Sequence, residues 1–316
     1  MSSDLIFLEI SQDLQSAKDD QRLYNPINFE TRVRAIDFID FHIINRIDII
    51  HQNSTPNPDF TRIRRSAEEL KEQLEAINRA LFAHLRETIK SKKLYPSELN
   101  ELLISHLDNA YNREADQPGY DYLDELINGI LCESTLPEPT IVREPEMVFY
   151  QQTPARIIFK LAEMLQVDEV LYDLGSGLGH VPILINLLNG NKTVGVEFEP
   201  AYHRYAVGKA TQLKLNDVLF INEDARKVDY TNGTVFYLYT PFEGNILQEV
   251  LDKLKQESFQ KPIRIFTYGP CSFQLAKQSW LICSDTKVKD IYKLYEFRSY
   301  RDHRKFIEVT PKGRYF

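Results

Sequence analysis

The sequence predicts an α/β fold in which a doubly wound, Rossmann-like and mostly parallel sheet follows an all-helical N-terminal region. The first observation is that apolar, β-rich runs alternate with helical stretches throughout the second half of the chain. The second is a glycine-rich segment, DLGSGLG at 173–179, directly after the first of these runs. Because such alternation requires right-handed crossovers, we expect parallel strands with helices on both faces of the sheet.

The α/β half begins after a segment at 132–146 that contains three prolines. We therefore predict two domains: a helical one at 1–145, acting as substrate selector or lid, and an α/β one at 146–316. Strands are predicted at 170–174, 193–197, 218–222, 234–239 and 263–268, and helices at 154–167, 179–190, 200–214 and 243–257. Two later runs, at 291–300 and 305–311, predict an antiparallel hairpin at the sheet edge.

Apolar residues at helical spacing predict the N-terminal helices. One helix is expected after Asn28 or Thr31, either of which could cap it, and a loop at 53–60 ends that helical stretch. A long amphipathic helix is expected between Ile63 and Leu85, packed against the preceding one. Another is expected to begin at Pro96.

Composition excludes several classes of protein. The 316 residues are 43% hydrophobic and 27% charged, as in soluble globular proteins. No apolar run approaches the roughly 18 residues of a membrane span, and the N-terminus lacks the pattern of a signal peptide. Three widely spaced cysteines fit a reducing compartment, and the seven histidines lack metal-ligand spacing. We expect a cytoplasmic protein with no membrane partner and no metal.

The net charge of −8 is unevenly spread. Residues 1–145 carry 16 Lys and Arg against 26 Asp and Glu, whereas residues 146–316 carry 22 against 20. The acidic first half suits a basic partner and disfavours nucleic acid. Residues 287–314 hold nine basic side chains against four acids, with aromatics between them, so binding of single-stranded nucleic acid stays open. A half-exposed hairpin gives the same alternation.

The spacing of the glycines distinguishes between ligands. A dinucleotide fingerprint is G-x-G-x-x-G and a P-loop ends in Gly-Lys-Ser/Thr, and neither pattern occurs, since His180 stands where the fingerprint has glycine. Asp173, before the glycines, suits a ligand with a positive amino group. The pattern D-x-G-x-G-x-G resembles motif I of class I S-adenosylmethionine (SAM) methyltransferases. This resemblance implies a cofactor loop formed by four residues: Gly175, Ser176, Gly177 and Gly179.

Two downstream acids support the same cofactor. Glu197 ends the second predicted strand, where a carboxylate can accept hydrogen bonds from both ribose hydroxyls. Asp224, followed by Ala225, comes after the third strand, where an acid can accept from the adenine amino group. Acids after three successive strands are more specific than the glycines alone.

The resemblance covers residues 147–270 and is strongest to an uncharacterised bacterial group of these methyltransferases. The segment FYQQTP at 149–154 is also similar to one in protein-lysine methyltransferases of the disruptor-of-telomeric-silencing type. That similarity implies that Tyr150 and Thr153 contact the cofactor. Locally, Thr153 is also a candidate N-cap, with Pro154 at the first helical position.

The segment YTPF after the fourth predicted strand occupies the place where methyltransferases hold the methyl acceptor. It resembles N-P-P-[YF] and the LYNPF of the bacterial group, but threonine replaces asparagine. The resemblance implies that Tyr239, Thr240 and Phe242 face the acceptor. Cys271, in TYGPCSF, resembles the nucleophile of RNA 5-methylcytosine methyltransferases, but a structural cysteine is the favoured interpretation.

Taken together, these patterns predict a SAM-dependent methyltransferase with an unidentified acceptor. A protein amino group is the first candidate, followed by a small-molecule amine and then RNA. Two alternatives remain open: a non-catalytic SAM-binding module and a dinucleotide-dependent oxidoreductase.

Overall fold

The computed structural model describes residues 3–53, 57–91, 95–108, 118–132 and 135–300. A helical region comes first, and a 3₁₀ turn, Gln21–Tyr24, precedes its second helix. A π-helical segment, Ile39–Ile44, joins α2 directly to α3. The helices are α1 Ser3–Asp19, α2 Phe29–Phe38, α3 Asn45–Asn53, α4 Pro58–Lys90, α5 Pro96–Ile104 and α6 Tyr122–Leu131.

The predicted long amphipathic helix is α4, but it begins at Pro58, inside the predicted loop at 53–60. Of the two predicted starts of α2, the structure has the one after Asn28, and the predicted start of α5 at Pro96 is confirmed. The Asn57 side chain caps α4 by accepting a hydrogen bond of 2.8 Å from the Asp59 amide. The N-terminal half of α4 packs its apolar stripe against α1 and the π-helical segment. Its C-terminal half packs with α5 and α6.

The second half of the chain forms a seven-stranded sheet in the order β3-β2-β1-β4-β5-β7-β6. The first five strands are parallel, as predicted, and a helix lies between successive strands except between β3 and β4. Their bounds are β1 Val170–Leu174, β2 Lys192–Glu197, β3 Val218–Asn222, β4 Val235–Leu238 and β5 Arg264–Thr267. The helices are α7 Ala155–Met164, α8 His180–Asn189, α9 Pro200–Gln212, α10 Gly244–Gln260 and α11 Cys271–Leu275. The Rossmann-like fold class is therefore confirmed.

The run predicted at 291–300 contains β7, Tyr295–Ser299, but its partner at the sheet edge is β6, Leu281–Cys283, a strand that the sequence did not predict. β7 lies between β5 and β6 and is antiparallel to both. Its partner β6 thus precedes it in the chain. The run at 305–311, which the sequence also assigned to this hairpin, lies outside the described residues.

One apolar core links the helical region to the sheet. Leu81 and Leu85 of α4 and Leu126 of α6 belong to the same buried cluster as Ile158 of α7 and Leu184 of α8. The predicted domain boundary near residue 145 stays a prediction. Within the described ranges, no helix combines the length and the apolar character that a membrane span requires.

Candidate functional site

The candidate site lies at the carboxyl ends of the parallel strands, beside the point where the strand order reverses between β1 and β4. A cavity of about 240 Å³ opens there. Of the predicted site residues, Gly177 and Gly179 do not line this cavity. The others line it: Tyr150, Thr153, Asp173, Gly175, Ser176, Glu197, Asp224, Ala225, Tyr239, Thr240 and Phe242.

The glycine loop is held against β2 by its own amide groups. The amides of Gly175 and Ser176 both donate to the Val196 carbonyl at 2.9 Å. The Gly177 amide donates to Glu197 Oε2 at 2.7 Å. Gly177 has a φ of +52°, which disfavours any residue with a side chain, and an added Cβ would lie 2.1 Å from the Tyr150 ring. The loop therefore requires glycine both for its conformation and for contact with Tyr150.

Two buried carboxylates face the cavity. Asp173 is 3% exposed, and its carboxylate accepts no hydrogen bond from the residues that the structure describes. Burial, and then the nearby Glu197, raise its pKa well above the usual range. Glu197 accepts from the amides of Gly177 and Glu199, each at 2.7 Å, and burial raises its pKa as well. Asp173 is thus a buried acceptor in need of a donor, and Glu197 keeps lone pairs for further donors.

Asp224 is already engaged with a neighbour. The Arg226 side chain donates to both of its oxygens, at 2.7 to 3.0 Å, and hydrogen bonding by this guanidinium lowers the pKa of Asp224. Arg226 also donates to Glu144 at 2.6 Å. Asp224 therefore connects the third strand to the segment that covers the cavity, in addition to lining it.

That segment, residues 139–151, is here called the strap. It crosses the carboxyl ends of the strands and is held there by hydrogen bonds to two carboxylates, one on α9's N-cap and one on the strap itself. Glu199, the N-cap of α9, accepts from Thr140 Oγ1 at 2.6 Å and from the Ile141 amide at 3.1 Å. Glu146 of the strap accepts from the Ile246 amide at 2.9 Å. From the sequence, most of this segment was predicted to be a domain boundary, and its place in the cavity wall was not predicted.

The end of the strap leads into α7. Tyr150 packs its ring 5.5 Å from that of Tyr202 and against the glycine loop. The prediction that Thr153 caps α7 is wrong: its side chain makes no cap bond, and its hydroxyl lies 3.2 Å from that of Tyr237. Asp124 of α6 accepts from the Ala155 amide at 2.7 Å instead. A cap supplied by another helix left no local signal in the sequence.

The residues after β4 form one lip of the cavity. Thr240 has a φ of +43°, which is unusual for a β-branched residue. Its hydroxyl donates to the Tyr268 carbonyl at 3.3 Å and accepts from the Cys271 amide at 3.1 Å. Cys271 does not line the cavity, and burial raises the pKa of its thiol, as expected for a structural cysteine. Thr240 therefore joins the lip to β5, beside Tyr239 and Phe242.

His180, the first residue of α8, lines the cavity and is 4% exposed. Its Nε2 lies 3.2 Å from Asn128 Oδ1, and its Nδ1 has no partner among the described residues. Burial lowers its pKa to about 4, so the ring is neutral near pH 7. An Nε2–H that donates to Asn128 leaves Nδ1 as an acceptor. His180 was not among the predicted site residues, although it directly follows the glycine loop in the sequence.

The charge of the cavity selects its ligand. Five carboxylates and one guanidinium line it within the described chain: Asp173, Glu197, Glu199, Glu223, Asp224 and Arg143. The Arg143 guanidinium stacks on the Phe149 ring at 3.3 Å from its centroid. Such a cavity favours a ligand of positive net charge and opposes a pyrophosphate.

No protein-family model matches the chain, and no curated protein matches it. Solved structures do. An RNA methyltransferase from Salinibacter ruber in complex with S-adenosyl-L-homocysteine shares 25% identity, covering 47% of this chain and 92% of its own, with a TM-score of 0.36. Precorrin-6y C5,15-methyltransferase from Geobacter metallireducens GS-15 shares 15% identity, covering 50% and 93%, with a TM-score of 0.36.

A SAM-dependent methyltransferase from Thiobacillus denitrificans, also in complex with S-adenosyl-L-homocysteine, shares 19% identity with a TM-score of 0.30. The match covers 36% of this chain and about half, 47%, of that one. Because all three TM-scores lie below 0.5, the function proposed below rests on the site of this chain itself.

Proposed function

We propose that this protein is a SAM-dependent methyltransferase whose cavity at the carboxyl ends of the strands binds the cofactor. One observation carries the proposal: Asp173, Glu197 and Asp224 lie at the carboxyl ends of three successive strands and line the same cavity as the glycine loop. SAM carries a sulfonium, an ammonium and a carboxylate, and so has a net positive charge. That charge complements the acidic lining, whereas the pyrophosphate of a dinucleotide would meet carboxylates.

The residues present fit the cofactor in three places. The unpartnered carboxylate of Asp173 would accept from the cofactor ammonium, which would also relieve its repulsion by Glu197. Glu197 would accept from the ribose hydroxyls while the amides of Gly177 and Glu199 fix its orientation. Asp224 and Ala225 would adjoin the adenine. Asp224 would contribute less to adenine binding than a free carboxylate, because its oxygens already accept hydrogen bonds from Arg226.

When bound, the cofactor supplies an electrophilic methyl group on its sulfonium sulfur. The protein then has to orient the acceptor and exclude water. Tyr150 would cover the cofactor, because its ring packs on the glycine loop. The acceptor would enter beside Tyr239 and Phe242, with Thr240 holding the shape of this lip through its two backbone contacts.

A protein amino group is the first candidate acceptor. The likeness of the Tyr150 to Pro154 segment to protein-lysine methyltransferases supports it, as does the net charge of −10 over residues 1–145, which attracts a basic protein. A small amine and RNA are the other candidates, and each predicts label in a different fraction of the assay below.

The test is transfer of tritium from methyl-labelled SAM to three separate pools: basic proteins, transfer RNA and small primary amines. We expect label in the protein pool that protease removes and nuclease does not. The Asp173→Ala variant should abolish the transfer. Asp252→Asn, which changes a carboxylate on the exposed face of α10, should leave it unchanged. SAM binding without transfer to any pool would favour the non-catalytic module, and absence of SAM binding would overturn the proposal.

A further inference from the structure

A second cleft, of about 410 Å³, lies between α2, α4 and α6 in the helical region. Its floor is apolar and is formed by Phe29, Val33 and Ile36 of α2 and Phe82 of α4. The cleft is separate from the cofactor cavity, and the proposed function assigns it no part.

Carboxylates stand around this apolar floor. Asp37 comes from α2, Glu75 from α4 and Glu125 from α6, so each wall contributes one. Glu75 lies 3.7 Å from Lys71 and 3.7 Å from Arg79, and is therefore already paired. Asp37 and Glu125, in contrast, take part in no ion pair with any residue that the structure describes.

Among the residues that the structure describes, one cation lines the cleft, Arg79, and it is already paired. Arg79 donates to Glu72 at 2.5 Å and pairs with Glu75. Asp37 and Glu125 are both exposed to solvent; partial burial of the Glu125 carboxyl raises its pKa, and the neighbouring carboxylates of Asp37 and Asp124 raise it further. The two unpaired carboxylates therefore repel each other across an apolar floor, and a cation placed between them would remove that repulsion.

We propose that this cleft binds a lysine or arginine side chain of a basic partner polypeptide. The aliphatic stem of such a side chain would pack on Phe29 and Phe82, and its charged head would lie between Asp37 and Glu125. A bare metal ion would not use the apolar floor, and no group of three potential metal ligands occurs within the described ranges. An anionic ligand would meet the carboxylates.

The cleft and the cofactor cavity share a wall. Asn128 lines the cleft, and its Oδ1 lies 3.2 Å from Nε2 of His180, which lines the cofactor cavity. A basic segment held in the cleft therefore lies directly behind the cofactor site. Identifying this partner with the methyl acceptor rests on the proposed function; binding in the cleft does not.

The test measures binding to the 316-residue chain in the absence of SAM, so that it does not depend on methyl transfer. The probe is the peptide Gly-Gly-Arg-Gly-Gly with an uncharged dye, and its counterpart has citrulline, which keeps the shape but not the charge. We expect fluorescence anisotropy at low salt to show binding of the arginine peptide about fivefold or more tighter than that of the citrulline peptide.

Variants locate the binding. Asp37→Asn and Glu125→Gln should each lower the affinity for the arginine peptide about fivefold. Glu69→Gln removes the same charge from the exposed surface of α4, outside the cleft, and should change the affinity less than twofold. Equal binding of the two peptides, or equal effects of all three substitutions, would overturn the proposal. If the wild-type protein transfers methyl groups but binds the arginine and citrulline peptides equally, the proposal for the cleft is refuted and the proposed function is not.

Discussion

Replacing Gly177 with alanine perturbs the contact between the glycine loop and the strap. The φ of +52° costs any residue with a Cβ about 1–2 kcal/mol. The new Cβ would also lie 2.1 Å from Tyr150 Cε2, so the ring must move, at a further cost of about 1–3 kcal/mol. We therefore expect Gly177→Ala to lower the free energy of unfolding by about 2–5 kcal/mol.

Gly190 provides a matched control. It also has a positive φ, +79°, but an added Cβ would meet nothing within 4 Å. Gly190→Ala should thus lose only the conformational part, about 1–2 kcal/mol. Urea unfolding of both variants measures the difference, and calorimetric titration should show weaker SAM binding for Gly177→Ala alone, because Tyr150 lines the cavity.

The double variant Gly177→Ala/Tyr150→Ala isolates the contact. If the Tyr150 ring is the obstacle, its removal should restore part of the free energy of unfolding that Gly177→Ala loses, with a coupling energy of about 0.5–3 kcal/mol. Equal losses for Gly177→Ala and Gly190→Ala, together with no coupling to Tyr150, would refute the inferred packing of the strap on the loop.

Three further substitutions test the site. Asp173→Asn should weaken SAM binding about 10–100-fold in titrations, yet raise the melting temperature of the ligand-free protein at pH 7. Because the native pKa of Asp173 is raised, its cost to the native state develops as the pH rises above the ordinary carboxyl pKa of 3.8, so the gain from asparagine should disappear near pH 4; a gain that persists there would contradict it. Glu197→Gln should lower the free energy of unfolding in urea by about 1–3 kcal/mol, because one of the two buried amides that donate to Glu197 loses its acceptor. An unchanged urea midpoint would argue against these two hydrogen bonds. Cys271→Ala should keep methyl transfer at the wild-type rate, and complete loss of transfer in the folded variant would revive the nucleophile hypothesis.

The sheet and its site could be predicted because their signals are local. Each parallel strand is a short apolar run, and the carboxyl ends of parallel strands meet at one edge. Asp173 and Glu197, 24 residues apart, were therefore expected at the same edge. The glycine loop followed from spacing, since backbone contact with β2 needs residues without side chains.

The rest depends on contacts between distant segments. The strap reads as a proline-containing linker, because the groups that hold it, such as Glu199 and the amide of Ile246, belong to helices α9 and α10. Asp124 caps a helix that begins 31 residues later, and no pattern within α7 indicates this. Asp224 was expected to be open to a ligand, but Arg226, two residues on, pairs with it.

Calorimetric titration of the purified protein with SAM, S-adenosyl-L-homocysteine and NAD tests the central claim most directly. The acidic cavity predicts that SAM binds more tightly than S-adenosyl-L-homocysteine, because the latter lacks the sulfonium charge. It also predicts that NAD does not bind. Binding of SAM should be lost in Asp173→Ala and Glu197→Ala and kept in Asp252→Asn. The assignment of this cavity to SAM would be contradicted if the folded protein bound NAD, or if it bound neither SAM nor S-adenosyl-L-homocysteine.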